Sequence, residues 1–405
     1  MTGPSEIAVQ GDVSSGFEPV REAFAANFSR RGERGGACCV YRNGEKIVDL
    51  WGGIRDPKTG APWQADTMVL VYSATKGLAA MAMALAHSRG WLDYDERIAA
   101  YWPEFACNGK EDATVRQLLA HQAGLPAFDE PVDADTVADL DRLAAVMARQ
   151  TPIWPPGERV AYHALTLGFY EGELIRRVDP DHRTIGRVFQ EEIAAPLGLD
   201  AYIRLPEDIP DDRLAPLKKA NPWKTLAHFP LPLIFASLNP RSLLFRSLGI
   251  NPGTALPDDL DRIYTRELEV PSGGGVVSAR GLAGAYNAFA SGGDEIGIKP
   301  ETLAELTALP VPSAHGFFDE SLRGEVRYAL GFMRPCRNWR FGRNEGAFGA
   351  PGAGGALGYA DPEDGIAYAY VTGSMGLRVT ADPRDLALRK ALDACLGKPG
   401  GDQNR

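Results

Sequence analysis

The sequence predicts a mixed α/β (α+β) fold, in which an antiparallel β-sheet flanked by N- and C-terminal helices carries an inserted, mostly helical lobe. Hairpin patterns occur near both ends of the chain, whereas residues from about 68 to 199 show helical spacing punctuated by Gly and Pro. We therefore expect a sheet domain of residues 1–66 and 262–405, a helical domain of residues 67–204, and an irregular insertion of residues 205–261 near the substrate cleft.

Short-range patterns predict the N-terminal elements. Residues 17–31 place apolar side chains at three- to four-residue spacing, which is typical of an amphipathic helix. Residues 37–41 and 46–51 flank Asn43 and Gly44, a dipeptide that is suited to a type I′ turn. The sequence therefore predicts a helix followed by a β-hairpin.

The C-terminal part of the chain also predicts a hairpin and a helix, and an insertion of different composition precedes them. Residues 205–261 are rich in Pro and in apolar clusters, and they are interpreted either as a cover over a pocket or as a packing loop. Residues 355–360 and 366–372 then predict another hairpin, and residues 384–396 predict a closing helix.

Composition excludes several classes of function. The 405 residues are 44% hydrophobic and 24% charged, as in ordinary globular proteins, and the length suits two packed lobes. A net charge of −10 predicts no attraction to nucleic acid or to anionic lipid. The N-terminus lacks the basic and apolar regions of a secretion signal, and no apolar run of about 18 residues occurs, so we expect a cytoplasmic protein that does not enter a membrane.

The cysteines and histidines indicate no metal. Five scattered cysteines are expected to be reduced thiols, and the six histidines are dispersed. Because no Cys-x-x-Cys or paired histidine spacing is present, we predict no metal.

Ser73 and Lys76 form an S-x-x-K motif at the start of residues 77–89, which predict a buried helix. Side chains at positions i and i+3 share one helical face, so the Lys76 amine can reach the Ser73 hydroxyl. This pair is what an acyl-enzyme mechanism with a serine nucleophile requires. The alternative interpretation is a helix cap at Ser73 beside an ordinary surface lysine.

Tyr162 is a second candidate base, in a segment that begins with Trp154-Pro155-Pro156-Gly157. The alternative role for Tyr162 is a buried aromatic residue whose hydroxyl satisfies the backbone. His121 and His163 suggest a Ser-His-Asp triad, but no G-x-S-x-G motif occurs, so both histidines are interpreted as structural.

The glycine cluster at residues 352–355 fits neither a dinucleotide-binding nor a P-loop pattern. Close approach of the backbone to a ligand explains it better, since glycine carries no side chain to obstruct that approach.

Several motifs follow one another in a characteristic order. After the S-x-x-K motif come residues 114–126, the tyrosine segment, and three Gly-containing motifs at 196–200, 273–278 and 348–355. In this order they resemble the serine β-lactamase-like superfamily of class C β-lactamases, DD-peptidases and family VIII carboxylesterases. The resemblance covers roughly residues 17–396 and implies a β-lactamase/transpeptidase-like fold. The run at 162–168 is most similar to the esterase branch.

The resemblance also implies roles for individual residues. Ser73 would be the nucleophile, with Lys76 and Tyr162 as its acid and base partners, and the sequence leaves open which of these two takes the first proton. The backbone N–H groups of Ser73 and Ala353 would form the oxyanion hole. The surrounding motif would contribute substrate-binding residues, namely Ala350, Gly352 and Gly354.

Two departures from the family pattern bear on the substrate. Ala164 stands where β-lactamases have an asparagine that binds the substrate amide. Ala350 stands where they have a lysine, or many esterases a histidine, and the lysine recognises a substrate carboxylate. An unpaired buried carboxylate would be costly, which disfavours β-lactams and peptides. We therefore expect a serine carboxylesterase for small neutral esters, which needs no metal and no organic cofactor.

Three alternatives to hydrolysis of a simple ester remain at this stage. A β-lactamase or an acyltransferase would use the same acyl-enzyme, and a binding or scaffold protein would keep the fold without turnover. The expected partners are a small-molecule ester and, as an open possibility, further copies of the chain.

Overall fold

The computed structural model describes residues 8–220, 231–249, 266–378 and 381–397. At its centre is an antiparallel sheet of nine strands that combines both ends of the chain. In spatial order its main strands are Val9–Val13, Glu45–Asp56, Gly35–Arg42, Ile366–Thr372, Leu357–Asp361, Phe348–Pro351, Phe332–Arg334 and Arg327–Ala329. The short strand Ala61–Pro62 pairs with Glu45–Asp56 off this path.

Both hairpins that the sequence predicts are present in the sheet. Asn43 and Gly44 have φ angles of 50° and 82°, as a type I′ turn requires, and they connect Gly35–Arg42 to Glu45–Asp56. The N- and C-terminal parts of the sheet then meet where Gly35–Arg42 pairs with Ile366–Thr372. The sheet is therefore complete only when both ends of the chain contribute their strands.

Helices cover the two faces of the sheet. Glu18–Arg30 and Pro383–Leu396 pack together over one face, on a core that includes Tyr368 and Tyr370. Ala279–Ala290 covers the opposite face. The expected mixed fold with flanking terminal helices is confirmed.

The remaining elements are mostly helical. The α-helices of the inserted lobe and its surroundings are Thr75–Ser88, Ile98–Tyr101, Val115–Leu119, Ala134–Ala138, Leu140–Arg149, Thr166–Val178, Ile185–Phe189 and Pro300–Thr307. Single turns of 3₁₀ or π helix lie at Tyr72–Ala74, Pro103–Phe105, Gln190–Ala194, Asp211–Arg213 and Asp294–Ile296. Two small sheets are formed by Val69–Leu70 with Val276–Val277 and Ala201–Tyr202, and by Phe318–Asp319 with Gly324–Glu325.

The helix Thr75–Ser88 is the centre of the lobe. Every residue in it except His87 is buried, because its Ala, Leu and Met side chains contact neighbours on all sides. It packs against Thr166–Val178 and against Ile185–Phe189. The first turn of this helix, which carries Lys76, is therefore held rigidly.

The expectation of an irregular insertion at residues 205–261 is wrong for part of its length. Leu231–Leu238 and Leu243–Gly249 are α-helices that contact each other. Proline in the segment had suggested irregular backbone, but Pro232 lies in the first helical turn, where proline costs no hydrogen bond. Residues 221–230 and 250–261 lie outside the described residues.

Candidate active site

Ser73 lies in the 3₁₀ turn Tyr72–Ala74, directly before the central helix. The alternative interpretation, in which Ser73 caps this helix, is wrong, because Ala74 occupies the cap position and no side chain caps the helix. Tyr72 adopts a left-handed conformation with φ of 46°, which is uncommon for a bulky residue. Thr75 holds this turn through a hydrogen bond from its hydroxyl to the Tyr72 carbonyl. The Ser73 hydroxyl is thus free of capping and faces other partners.

Lys76 is buried, with 3% of its surface exposed, and its amine has three partners. Its Nζ lies 3.4 Å from the Ser73 Oγ, 2.6 Å from the Ala164 carbonyl oxygen and 2.9 Å from the Ser272 carbonyl oxygen. Because the two carbonyls belong to different segments, they hold the amine in one place beside the serine. The third N–H of the amine is directed to the Ser73 oxygen.

Tyr162 completes the contacts of the serine. Its hydroxyl donates to the Ser73 Oγ at 2.8 Å, and the Lys76 Nζ lies 4.8 Å from the centre of its ring. The structure thus brings together the three side chains that the sequence proposed, although Tyr162 and Ser73 are 89 positions apart. The Ser73 hydroxyl is therefore within reach of both an amine and a phenol.

Asp319 positions the Tyr162 segment, and sequence reasoning did not identify it. Its carboxylate accepts hydrogen bonds from the backbone N–H groups of Tyr162, Ser321 and Leu322, and from the Tyr328 hydroxyl at 3.0 Å. Burial raises the pKa of this carboxyl to about 6 in spite of these donors. Asp319 lies far from the motifs in sequence, so no local signal could have indicated it.

The two histidines near the tyrosine serve the backbone. His163 accepts a hydrogen bond from the Leu125 N–H on Nε2, and its Nδ1 contacts the Ala161 carbonyl oxygen. His121 accepts the His163 backbone N–H on Nδ1. Burial lowers the pKa of His163 to about 4 and that of His121 well below its ordinary value, so both rings are neutral near pH 7.

The glycine-rich motif borders the serine turn from the other side. A Cβ on Gly352 would lie 2.0 Å from the Val71 carbonyl oxygen, so only glycine allows the end of the strand to approach this closely. Ala353 lies in the turn after this strand, which ends at Pro351, and not in the strand itself. Neither the Ser73 nor the Ala353 N–H donates to a backbone carbonyl within the described chain.

Ala350 and Gly354 face different neighbours. A Cβ on Gly77 would lie 3.2 Å from the Ala350 Cβ and 2.1 Å from the Tyr286 hydroxyl, so the side of Ala350 is closed by the first turn of the central helix. A Cβ on Gly354 would lie 3.1 Å from the Met375 Cα, and the Gly354 carbonyl accepts the Gly376 N–H at 2.8 Å. No cationic side chain stands at position 350.

Glu171 is a buried acid on the helix Thr166–Val178 that sequence reasoning also missed. It is fully buried, and neither carboxyl oxygen has a hydrogen-bond partner among the described residues. Burial raises its pKa to about 8, while the charge of Lys76 opposes this rise. Its carboxyl group lies against Gly331, close to Ala80. Near pH 7 the Glu171 carboxyl is therefore mostly protonated, and it lies close enough to Lys76 for the charge of the amine to affect its pKa.

The fold and this site define a class of proteins. The model of the Beta-lactamase family matches residues 20–393, so the chain belongs to that family. It is a serine hydrolase of this superfamily.

Three individual proteins are similar to this chain over most of its length. The Esterase/beta-lactamase LipL of Mycobacterium tuberculosis is 34% identical over 372 residues, which is 90% of this chain and 82% of LipL. A family VIII carboxylesterase structure is 34% identical with a TM-score of 0.83, covering 96% of this chain and 100% of the other. A penicillin-binding protein homologue from Caulobacter crescentus has the same values.

Proposed function

We propose that this chain is a carboxylesterase that hydrolyses small, neutral carboxylic esters through an acyl-enzyme on Ser73. The observation that carries the proposal is the double contact on the Ser73 Oγ, at 2.8 Å from the Tyr162 hydroxyl and 3.4 Å from the Lys76 Nζ. Both groups are in hydrogen-bond reach, as general acid–base catalysis requires.

In the first half-reaction Tyr162 acts as a phenolate, after its own proton has passed to solvent. The Ser73 oxygen attacks the ester carbonyl carbon while the serine proton moves to the Tyr162 oxygen. Tyr162 is the closer of the two candidates. A protonated Lys76 amine, 4.8 Å from the centre of the Tyr162 ring, stabilises the phenolate before it accepts the proton. The tetrahedral intermediate then breaks the bond to the alcohol oxygen, which leaves with the proton returned from Tyr162. In the second half-reaction Tyr162 takes a proton from water while the water oxygen attacks the acyl carbon. The second tetrahedral intermediate then breaks its bond to the Ser73 oxygen, which takes the proton back from Tyr162, and the acid is released.

The oxyanion of each tetrahedral intermediate is assigned to the backbone N–H groups of Ser73 and Ala353. The close packing of Gly352 against Val71 supports this assignment, because it brings the turn that carries Ala353 next to the serine turn. Donors that make no other backbone bond are available to developing negative charge without reorganisation.

The preference for a neutral ester follows from what the site lacks. Ala350 and Ala164 offer neither a cation for a carboxylate nor an amide for a side-chain carbonyl. The relatives named as esterases support ester hydrolysis. A β-lactam presents a carboxylate that would find no partner at position 350, which makes β-lactam hydrolysis the weaker activity.

The test compares hydrolysis of p-nitrophenyl acetate, butyrate and octanoate by the wild type and by Ser73→Ala, with mass spectrometry of the intact protein to detect the acyl adduct. Ser291→Ala, at an exposed serine, is the matched control. We expect turnover and adduct in the wild type and in Ser291→Ala, and neither in Ser73→Ala. Full turnover by Ser73→Ala would refute the proposal, and faster turnover of nitrocefin than of every ester would replace it with a β-lactamase.

A further inference from the structure

The insertion carries a local charge opposite to that of the chain. Residues 213–257 contain six Lys or Arg and no Asp or Glu, whereas the whole chain has a net charge of −10. In so acidic a protein, a stretch of sequence without carboxylates favours contact with an anionic partner. The described part of this stretch beyond residue 230 is the helix pair Leu231–Leu238 and Leu243–Gly249.

The same helix pair exposes large apolar side chains. Leu231, Phe235 and Leu238 are exposed by 68%, 69% and 71%, and their spacing of four and three residues places them on one side of the helix. Leu248 of the second helix is exposed by 54%. These are four of the ten large apolar residues that are exposed in the described chain, so the helix pair concentrates apolar surface that elsewhere is scattered.

Ionic and backbone contacts tie the insertion to both sides of the active site. Arg246 forms an ion pair with Asp129 at 2.5 Å. Asp129 lies in the same segment as Leu125, whose N–H donates to the ring of His163, the residue after Tyr162. On the other side, Lys218 exchanges backbone hydrogen bonds with the segment 373–375, whose Met375 sulfur lies 4.0 Å from the Tyr72 hydroxyl.

We propose that the helix pair of residues 231–249 is a docking surface for an anionic lipid membrane, which it enters at the interface without spanning it. The charged residues of this segment are Arg241, which is exposed, and Arg246, which pairs with Asp129. Exposed apolar side chains in a segment whose own charges are all positive are typical of an interfacial helix that binds anionic lipid. In the described part of the chain no helix has the length and apolar character to cross a bilayer. The whole-chain charge predicts the opposite behaviour, because it averages this segment with an acidic remainder.

A second copy of the chain fits this surface less well. A symmetric dimer through the helix pair would place two carboxylate-free, cationic segments against each other, and like charges in contact are repulsive. An anionic headgroup layer instead supplies both the opposite charge and an apolar layer beneath it.

The proposal is tested by flotation of the full-length protein with phosphatidylcholine vesicles that contain roughly one third phosphatidylglycerol, and with pure phosphatidylcholine vesicles. We expect binding to the anionic vesicles that weakens with salt, and little binding to the neutral ones. The Phe235→Ser/Leu238→Ser double variant should lose roughly tenfold or more in affinity, because it removes apolar groups that enter the interface. Arg241→Glu, at an exposed arginine, should also weaken binding.

Matched controls separate this surface from general effects. Leu309→Ser/Val311→Ser changes two residues of similar exposure, 66% and 56%, outside the insertion, and Arg42→Glu changes an exposed arginine of the sheet domain. Both should bind as the wild type does. Equal binding to both kinds of vesicle, or wild-type binding by the double serine variant, would overturn the proposal. So would a dimer in sedimentation that the double variant disrupts while no vesicle binds. Esterase activity does not enter the test, so the two proposals fail independently.

Discussion

The phenol oxygen of Tyr162 and the Oγ of Ser73 are 2.8 Å apart, and each is held by a different part of the fold. Ser73 comes from a strained turn that precedes a fully packed helix. Tyr162 comes from a loop whose backbone N–H is bound by the buried carboxylate of Asp319. The contact therefore depends on packing between segments, and it can be tested from either side.

Removing the phenol oxygen tests the role of Tyr162. Tyr162→Phe should lower kcat for p-nitrophenyl butyrate by roughly 100-fold or more, because one general acid–base group contributes on this scale. Tyr328→Phe is the matched control, since its ring stacks near Tyr162 but its hydroxyl bonds to Asp319 and not to Ser73. Tyr328→Phe should keep most of the activity. A nearly silent Tyr162→Phe would move the proton transfer to Lys76.

Lys76 can be compared with a lysine in similar surroundings. Lys110 is also buried, and its Nζ also bonds to two carbonyl oxygens, those of Cys107 and Ala148. Its third partner is the Cys107 sulfur at 3.6 Å, where Lys76 has a serine oxygen. Lys76→Met should abolish formation of the acyl adduct, with a loss of roughly 100-fold or more in turnover. Lys110→Met should lower stability by about 1–3 kcal/mol through the unpaired carbonyls and leave kcat unchanged. Equal loss of kcat in both variants would mean that Lys76 acts through stability alone.

Restoring a cation at position 350 tests why neutral esters are preferred. Ala350→Lys should raise the ratio of kcat/KM for nitrocefin to that for p-nitrophenyl butyrate by about tenfold or more, since a charge-assisted hydrogen bond contributes about 1.5–3 kcal/mol. The first helical turn at Gly77 lies close to this side chain, so thermal unfolding is measured in parallel. A folded Ala350→Lys variant with an unchanged ratio would show that this position does not select the substrate.

Glu171 predicts a pH dependence of stability with a definite sign. The pKa of its carboxyl is raised from 4.5 to about 8 in the folded protein, so between these values the folded state keeps a proton that the unfolded state has lost. The contribution of this group to stability is therefore complete below pH 4.5 and declines as the pH rises toward 8, by up to about 1.4 kcal/mol per pH unit. Glu171→Gln cannot ionise and should lack this decline.

The measurement is urea unfolding of both proteins at pH 5, 6, 7 and 8. The difference in unfolding free energy between Glu171→Gln and the wild type should shift in favour of the variant at each step. A difference that does not change with pH would show that Glu171 titrates near its ordinary value and is less enclosed than the structure indicates.

Local patterns were sufficient wherever a few neighbouring residues decide the backbone. Asn43 and Gly44 tolerate positive φ, so their turn could be predicted, and the S-x-x-K spacing brings Lys76 beside Ser73 through one helical turn. The alternative of a helix cap at Ser73 is wrong, because Ala74 occupies the cap position and Thr75 stabilises a 3₁₀ turn through a hydrogen bond to Tyr72. Sequence reasoning also missed the helices of the insertion, where proline in a first turn was taken as a sign of irregular backbone.

The sequence by itself determined the order of the motifs, the resemblance that they carry, and the loss of a cation at Ala350, since these are properties of residue identity. Only the tertiary structure decided that Asp319 holds the Tyr162 segment and that Glu171 lies near Lys76 with no hydrogen-bond partner in the described part of the chain. Burial and pairing across distant segments set the pKa of an acid, and neither has a signature in the residues next to it. The exposed side of Leu231–Leu238 is also decided by tertiary structure. The sequence of an apolar helix does not show which of its faces its neighbours leave exposed.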